Sequence, residues 1–216
     1  MIPLSELSGI AYGVAELADL AELAALLAVA FSEQDVLAVA NGVTAVEFEA
    51  VVRLNFPKTA TDGLTIVARS ADTGEMAGAL LTEDSSSPAP DGFDRVSPKF
   101  APTFDFLHQL DAEYRQGQTV APGDWLHLIL LGVPRPWSGR GIGRRLVAAC
   151  LENGARKGFR RAVTEATGSA SQHIFRQHGF AARVQRSYRD YRFRGEAVFA
   201  GIQAPEGTVF MDKSLQ

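Results

Sequence analysis

One segment constrains the fold more than any other: an apolar strand that runs into a glycine-rich loop and then into a helix. Residues 125–133 (WLHLILLGV) form a nearly continuous apolar run, typical of a strand that is buried on both faces of a sheet. Alternate glycines follow in residues 139–146 (GRGIGRRL), and apolar residues then recur at helical spacing. This order of strand, loop and helix predicts a single α/β domain.

The glycine loop has the composition of a phosphate-binding loop. Alternate glycines let the backbone turn tightly and approach a ligand closely. The helix behind them offers unpaired N–H groups and the positive end of its dipole, which together attract phosphate. Arg140, Arg144 and Arg145 add cations at the same place. The alternative interpretation is a plain strand-to-helix turn with solvated arginines.

Two familiar nucleotide-binding loops are excluded by the same residues. A Walker A loop ends in Gly-Lys-Ser or Gly-Lys-Thr, and this loop contains neither tripeptide. A dinucleotide fingerprint requires glycine or alanine where this chain has Arg144 or Leu146, depending on the glycine from which it is counted. The loop is therefore of another phosphate-binding class, or it is a plain turn.

The formal charge of −4 averages over two very different parts of the 216-residue chain. Residues 1–134 carry 6 basic and 19 acidic side chains, whereas residues 135–194 carry 14 basic and 3 acidic ones. A basic segment in an acidic protein indicates an anionic ligand there, and the acidic part favours a cationic one. The arginines between residues 183 and 194 fall on alternating faces of a predicted strand, so we expect no nucleic-acid partner.

The composition indicates a globular protein. Hydrophobic residues make up 46% of the chain, which is enough for a core. The single cysteine, Cys150, excludes an internal disulfide and a cysteine metal cage, and the histidines show no metal-ligand spacing. Asp19 and Glu22 interrupt the apolar stretch 17–31, so it is neither a signal peptide nor a membrane span. We expect a cytoplasmic protein with no metal and no membrane contact.

Turn residues and periodicity predict the other elements. Capping boxes mark three helix starts, at Asp19–Glu22, Thr44–Glu47 and Ser169–Gln172. Pro102 begins a further helix. The apolar face of that helix consists of Phe106, Leu107, Leu110 and Tyr114. The predicted strands cover residues 10–16, 64–69, 76–83, 125–133, 161–166, 180–193 and 208–213. The hairpin turn Asp72-Thr73-Gly74 joins the strands 64–69 and 76–83.

Two motifs in register resemble the GCN5-related N-acetyltransferases (GNATs). Val133, the segment 139–143 (GRGIG) and Leu146 are similar to the family's acetyl-CoA loop. Residues 171–180 (SQHIFRQHGF) resemble its second motif, a short helix that ends in Gly-Phe. The resemblance is strong over residues 125–190. It implies one domain over residues 1–216, with a mixed, mostly antiparallel central sheet flanked by helices. A helical insertion at about residues 84–123 would lie between the third and fourth strands.

The resemblance also implies a cofactor and a reaction. Acetyl-CoA would be the co-substrate, and an amine would attack its thioester directly, with no covalent enzyme intermediate. Backbone groups of Leu131, Gly132 and Val133 would pair with the pantetheine arm. The loop residues that would hold the pyrophosphate are Gly139, Arg140, Gly141, Ile142, Gly143 and Arg144.

The chain departs from the family at the thiolate acid. Phe175 stands where the family commonly has a tyrosine, Gly168 replaces an asparagine that often precedes the second motif, and Ser138 replaces an arginine or glutamine. A thiol has a pKa near ~8.5, so its thiolate leaves without a dedicated acid. Tyr188, Tyr191 or water are the alternatives, and Tyr188 is our candidate.

His127 is the first candidate for the base that removes the proton from the amine. It has the strand parity of Leu131 and Val133, so we expect its side chain on their face of the sheet. It also matches the first of two strand histidines in the arylalkylamine N-acetyltransferase branch. The alternative is a hydrogen-bonded core histidine. Glu33, together with Asp35, is a second candidate set, because the family's first inter-helix loop borders the amine site; solvated acids are the alternative there.

The sequence thus favours an N-acetyltransferase that acts on a small primary amine. The helix in the insertion could cover the amine site, as in arylalkylamine-type relatives, or pack on the sheet without touching substrate. A peptide or protein amine is the alternative acceptor. An acyl-CoA-binding sensor without catalysis is the alternative function, which Phe175 and Gly168 suggest. A monomer or a homodimer is expected by analogy with the family.

Overall fold

The computed structural model describes residues 1–92 and 95–216, and its centre is one eight-stranded sheet. The strand order is β1-β2-β3-β4-β5-β6-β8-β7. Every neighbouring pair is antiparallel except β5 and β6, which run parallel. The strands are β1 (Ile2–Leu7), β2 (Ile10–Val14), β3 (Ile66–Ser70), β4 (Met76–Asp84), β5 (Trp125–Gly132), β6 (Arg161–Ala166), β7 (Ala181–Ser187) and β8 (Gly207–Ser214).

Helices cover both faces of the sheet. The helices are α1 (Leu20–Gln34), α2 (Val36–Ala40), α3 (Ala45–Thr61), α4 (Ala101–Arg115), α5 (Ile142–Arg156) and α6 (Ser169–Gln177). Helices α5 and α6 pack on one face, called face A here, through Leu146, Cys150 and Phe175. Helices α1 to α4 pack on the opposite face, face B, where Leu27 and Phe106 are fully buried. The predicted single α/β domain with a mostly antiparallel sheet is confirmed.

Strand β1 was not predicted from the sequence. Strand β1 is the outer strand of a hairpin with β2, and its own residues are mostly exposed. It therefore lacks the alternation of apolar and polar residues by which a strand is predicted from sequence. Its presence moves the helical insertion to the connection between the fourth and fifth strands, one position later than predicted. Among the described residues no helix is both long and apolar enough to span a membrane.

The predicted capping boxes have different outcomes. The box at Thr44 is confirmed, because the Thr44 N–H donates to Glu47 Oε2 at 2.9 Å and the Glu47 N–H donates back to Thr44 Oγ1. The box at Asp19 is wrong. Asp19 instead accepts the N–H of Glu16 at 2.8 Å, one turn earlier, and Glu22 accepts the Met76 N–H from the sheet.

The box at Ser169 is also wrong, since Ser169 is already the first residue of α6. Its predicted partner, Gln172, is buried and donates to the carbonyl oxygens of Ala166 and Gly207, so it joins α6 to β6 and β8. A glutamine at this position is therefore used for tertiary contact and not for capping.

Helix α4 of the insertion lies on face B and is fixed to the last strands. Tyr114 donates a hydrogen bond to Asp212 of β8, which is buried and also pairs with Arg161 and Arg183. The predicted strand 180–193 ends earlier, at Ser187. The chain then leaves the sheet and packs against α4 through three buried aromatic residues, Tyr188, Tyr191 and Phe199.

Candidate active site

The two parallel strands β5 and β6 separate in the middle of the sheet. Their pairing begins at Trp125 with Arg161 and ends at His127 with Val163. Strand β5 continues to Gly132, still paired with β4, whereas β6 continues to Ala166 along β8. In the described part of the chain, no backbone pairing joins residues 128–132 to residues 164–166. We call this wedge-shaped opening the splay.

The glycine loop lies at the end of the β5 arm of the splay. Gly139 and Gly141 have φ angles of +76° and +75°, a left-handed conformation that glycine adopts without strain. An added Cβ at either position would have no heavy atom within 4 Å. Glycine is therefore required there by the backbone conformation and not by a lack of space. Gly141 is the residue that caps the start of α5.

The loop presents a row of free hydrogen-bond donors. Within residues 1–92 and 95–216, the backbone N–H groups of residues 139–144 donate to no other group. These six donors include the first turn of α5, whose dipole favours an anion. Arg140 lies over the ring of Trp137, 4.8 Å from its centroid, and Arg144 and Arg145 are exposed. The loop therefore offers free N–H donors and arginine cations at one place.

The first turn of α5 also contacts the splay. An added Cβ at Gly143 would lie 3.3 Å from Ile174 Cδ1 and 3.9 Å from Leu131 Cδ2. Gly143 thus lets α5, α6 and the β5 arm approach one another closely. This contact fixes the free N–H groups relative to the β5 backbone.

Residues 31–35, the end of α1 and the residue before α2, cross the open end of the splay on face B and are called the α1–α2 segment here. At the β5 arm, an added Cβ at Gly132 would lie 2.6 Å from Leu27 Cδ2 and 3.7 Å from the ring of Phe31. At the β6 arm, Thr167 donates its hydroxyl hydrogen bond to Asp35 Oδ2 at 2.7 Å. Residues 31–35 therefore connect both arms.

Asp35 is held firmly at this crossing. Its Oδ1 atom accepts the N–H groups of Leu37 and Ala38 at 3.1 and 2.9 Å, which caps α2. Burial raises the pKa of Asp35 above its ordinary value, although the hydrogen bonds from Thr167 and the α2 backbone act in the opposite direction. A carboxylate with a raised pKa at the mouth of a cleft is a suitable proton acceptor.

Glu33 has a different environment. Half of its side chain is exposed, and its carboxylate pairs with Arg135 at 3.4 Å, just beyond the end of β5. Glu33 therefore lies at the rim of the splay, beside the residues that lead from β5 into the glycine loop. It does not join the buried residues on face B.

His127 does not lie on the face that the sequence predicted. Leu81 pairs with Leu130 and Thr82 pairs with Leu128, so Ile129 is an extra residue in a β-bulge. The bulge reverses the alternation along β5. Leu128 and Leu131 therefore both face A, with Val133, whereas the side chain of His127 lies on face B.

On face B, His127 lies between two carboxylates. Its Nδ1 atom is 3.3 Å from Oε1 of Glu83 on β4, and its Nε2 atom is 2.7 Å from Oε2 of Glu165 on β6. Burial alone lowers the pKa of His127, but the charges and hydrogen bonds of Glu165 and Glu83 outweigh it and raise the pKa to about 10. At neutral pH His127 is an imidazolium that donates to both neighbours.

The candidate thiolate acid, Tyr188, is buried next to the β6 arm. Its hydroxyl group donates to the carbonyl oxygen of Thr167 at 2.6 Å and lies 2.8 Å from Thr208 Oγ1. Burial raises the pKa of Tyr188. Phe175, which occupies the family's usual tyrosine position, is buried and packs edge-on against Phe180. Tyr191 donates to Asp105 of α4, away from the splay strands.

A second depression exists elsewhere. It has a volume of about 600 Å³ and is lined by Lys58, Lys157, Phe159 and Asp84 among others. Asp84 ends β4 and Phe159 precedes β6, whereas Lys58 lies on α3 and Lys157 follows α5. The depression therefore lies at the end of β5 opposite the splay. The depression is therefore separate from the glycine loop. Among the described residues, no group of histidine, cysteine and acidic side chains is arranged to hold a metal ion.

The chain thus combines a mixed sheet, two parallel central strands that separate, and a glycine loop with free N–H groups beside them. Residues 100–180 match the family model described as the Acetyltransferase (GNAT) family, and no curated protein matches the chain. Over these residues the chain is similar to the GNAT acetyltransferases.

Solved structures share the fold over almost the whole chain. The C-terminal condensation domain of Ebony, in complex with β-alanyl-dopamine, has a TM-score of 0.86 at 15% identity. The match covers 98% of that domain and 95% of this chain. Arylalkylamine N-acetyltransferase 2 from Aedes aegypti has a TM-score of 0.79 at 20% identity, with coverage of 100% and 97%. The Drosophila melanogaster polyamine N-acetyltransferase has a TM-score of 0.72 at 19% identity, with coverage of 99% and 95%.

Proposed function

We propose that the protein is an acetyl-CoA-dependent N-acetyltransferase for a small primary amine. The observation that carries the proposal is the position of six free backbone N–H groups, residues 139–144, at the end of the open β5 arm. The free N–H groups suit a pyrophosphate. The backbone of the β5 arm, which has no β6 partner there, can pair with an amide-containing chain next to the pyrophosphate. Coenzyme A has both groups in this order.

Each part of the co-substrate has residues that fit it. The pyrophosphate would lie against Gly139, Arg140, Gly141, Ile142, Gly143 and Arg144. The backbone of Leu131, Gly132 and Val133 would pair with the pantetheine amides along the β5 edge that β6 leaves free. Bound acetyl-CoA supplies an activated acetyl group as a thioester.

Asp35 is the residue that we propose as the base. His127 is protonated at neutral pH because its pKa is about 10, so it cannot accept the amine proton there. Asp35 lies where the α1–α2 segment meets the β6 arm, and burial brings its pKa closer to neutrality. An incoming ammonium group would transfer its proton to Asp35, directly or through the Thr167 hydroxyl, before the neutral amine attacks.

The acceptor side of the site combines apolar walls with the Asp35 carboxylate. Four partly buried side chains from α1, α4 and β5 pack in the same face-B cluster: Phe31, Phe104, Ile129 and Leu130. Such a site favours an amine with an apolar or aromatic body. The structural relatives are named for arylalkylamine, polyamine and β-alanyl-dopamine chemistry, which supports a small amine more than a peptide.

Tyr188 has a supporting role in this proposal. Its hydroxyl proton is already donated to the Thr167 carbonyl, which fixes the β6 arm next to Asp35. The thiolate then leaves with a proton from water. One observation favours a second candidate function, an acyl-CoA sensor without catalysis: the buried Phe175 cannot donate a proton.

An amine panel with acetyl-CoA and a free-thiol readout tests the proposal. We expect thiol release with at least one arylalkylamine or aliphatic amine. Tight CoA binding without thiol release from any amine would favour the sensor. In parallel, Gly141→Val should abolish CoA binding. Gly74→Val is the matched control, because Gly74 also has a left-handed φ, +73°, and open space around it, in the hairpin between β3 and β4.

A further inference from the structure

We propose that His127, Glu83 and Glu165 form a clamp that sets where β5 and β6 begin to separate, and thereby the width of the coenzyme A slot. The inference rests on the proposed function. It assigns His127 as a positioning residue in place of the base suggested by the sequence. The three side chains come from three adjacent strands, β4, β5 and β6.

The clamp lies at the vertex of the splay. His127 is the last residue of β5 that pairs with β6, and its partner is Val163. Glu165 lies two residues farther along β6, on the arm that has already left β5. The 2.7 Å contact between His127 and Glu165 therefore connects the last paired residue of one strand to the free arm of the other.

A second bond closes the same vertex on face A. The hydroxyl group of Thr164 donates to the carbonyl oxygen of Leu128 at 2.9 Å. Leu128 is the first β5 residue beyond the last pair. The Thr164 hydroxyl therefore donates to the carbonyl oxygen that a backbone N–H of β6 would use if the parallel pairing continued. The vertex is thus closed by side chains on both faces of the sheet.

The clamp depends on the positive charge of the imidazolium. His127, Glu83 and Glu165 are each mostly buried, with side chains 20%, 21% and 10% exposed. Without the cation, two carboxylates would face each other across β5 in a partly dry environment, where like charges repel strongly. The free β6 arm would move away from β5, and the slot would no longer match the pantetheine arm.

Calorimetric titration with CoA separates this role from catalysis. We expect His127→Ala to raise the CoA dissociation constant by about tenfold or more, because the mostly buried carboxylates of Glu83 and Glu165 would then repel each other without a cation between them. The triple variant His127→Ala, Glu83→Gln, Glu165→Gln should recover to within about threefold of wild type, because the repulsion is removed. His108→Ala, at an exposed position of α4, is the control and should bind CoA normally.

The outcomes are decisive in each case. Normal CoA affinity of His127→Ala, or a triple variant as weak as His127→Ala, would overturn the clamp. If His127→Ala does not fold, His127→Gln carries the test, and normal CoA affinity of that variant overturns the clamp equally. Failure of the wild-type protein to bind CoA would instead remove the proposed function itself, so the two failures are distinguishable.

Discussion

The hydroxyl group of Thr164 and the carbonyl oxygen of Leu128 form a 2.9 Å hydrogen bond between two strands at the point where their backbone pairing stops. Both residues are buried. The bond satisfies an acceptor that the separation of β5 and β6 would otherwise leave unpaired in the interior. A functional opening in a sheet therefore needs a side chain to close its vertex.

Thr164→Val tests this bond, because valine has nearly the same shape and lacks the hydroxyl. The Leu128 carbonyl would be left without its partner, which costs about 1–3 kcal/mol. We expect a lower urea midpoint with an unchanged slope. Thr164→Ser retains the hydroxyl group and is the control. Equal midpoints for the valine variant and the wild type would show that the bond contributes nothing to stability.

The stability of the protein should depend on pH through His127. Its pKa is about 10 in the folded protein, compared with an ordinary value of about 6.5 when unfolded. The folded state therefore holds the proton more tightly. The stabilisation from the clamp is complete below pH ~6.5 and is lost as pH rises through about 10.

Urea unfolding of the wild type and of His127→Gln at several pH values measures this effect. The difference in unfolding free energy between the two proteins should be largest near pH 6 and should decrease progressively toward pH 10.5. A difference that stays constant over this range would mean that His127 does not carry its charge in the folded state.

Sequence patterns predicted the parts of the molecule that follow from local rules. The β5 run, the glycine loop and α5 lie where the apolar periodicity and the left-handed glycine positions require them. The Thr44–Glu47 box likewise needs only residues that are three apart. The fold class followed because these elements occur in an order typical of the GNAT superfamily.

The parts that the sequence could not predict depend on register across strands. The bulge at Ile129 is defined by how β4 pairs with β5, and no local signal in residues 125–133 marks it. Parity counting therefore placed His127 on the wrong face. Glu83 and Glu165 were missed for the same reason: they are 82 residues apart in sequence and meet only through His127.

Asp35→Asn should reduce kcat without unfolding the protein. Asparagine can still accept the Leu37 and Ala38 N–H groups and so cap α2, but it cannot take a proton. Loss of a general base reduces the rate by about 10²–10⁴-fold. Steady-state kinetics on the best amine of the panel, with the pH–rate profile, measure this effect.

Glu33→Gln is the matched control for Asp35→Asn, two residues earlier in the chain. Glu33 is exposed, and its pair with Arg135 is a surface ion pair of small energetic value. We expect its kcat to stay close to that of the wild type. A large loss of kcat in Glu33→Gln together with a normal rate in Asp35→Asn would reverse the assignment of the base.

Gly132→Ala tests the close approach of α1 to the β5 arm. The new Cβ would lie 2.6 Å from Leu27 Cδ2, so the fully buried Leu27 side chain would have to shift within the core. Overpacking of this kind costs about 1–3 kcal/mol. Gly201→Ala is the control, because an added Cβ at Gly201 would meet no heavy atom within 4 Å.

A double-mutant cycle with Leu27→Ala separates this contact from a general loss of packing. Leu27→Ala alone creates a cavity and costs about 2–5 kcal/mol. In the double variant the new methyl group at residue 132 occupies part of that cavity, so the two costs should sum to more than the measured loss of unfolding free energy. Strictly additive costs would show that α1 and β5 are not in tight contact at Gly132.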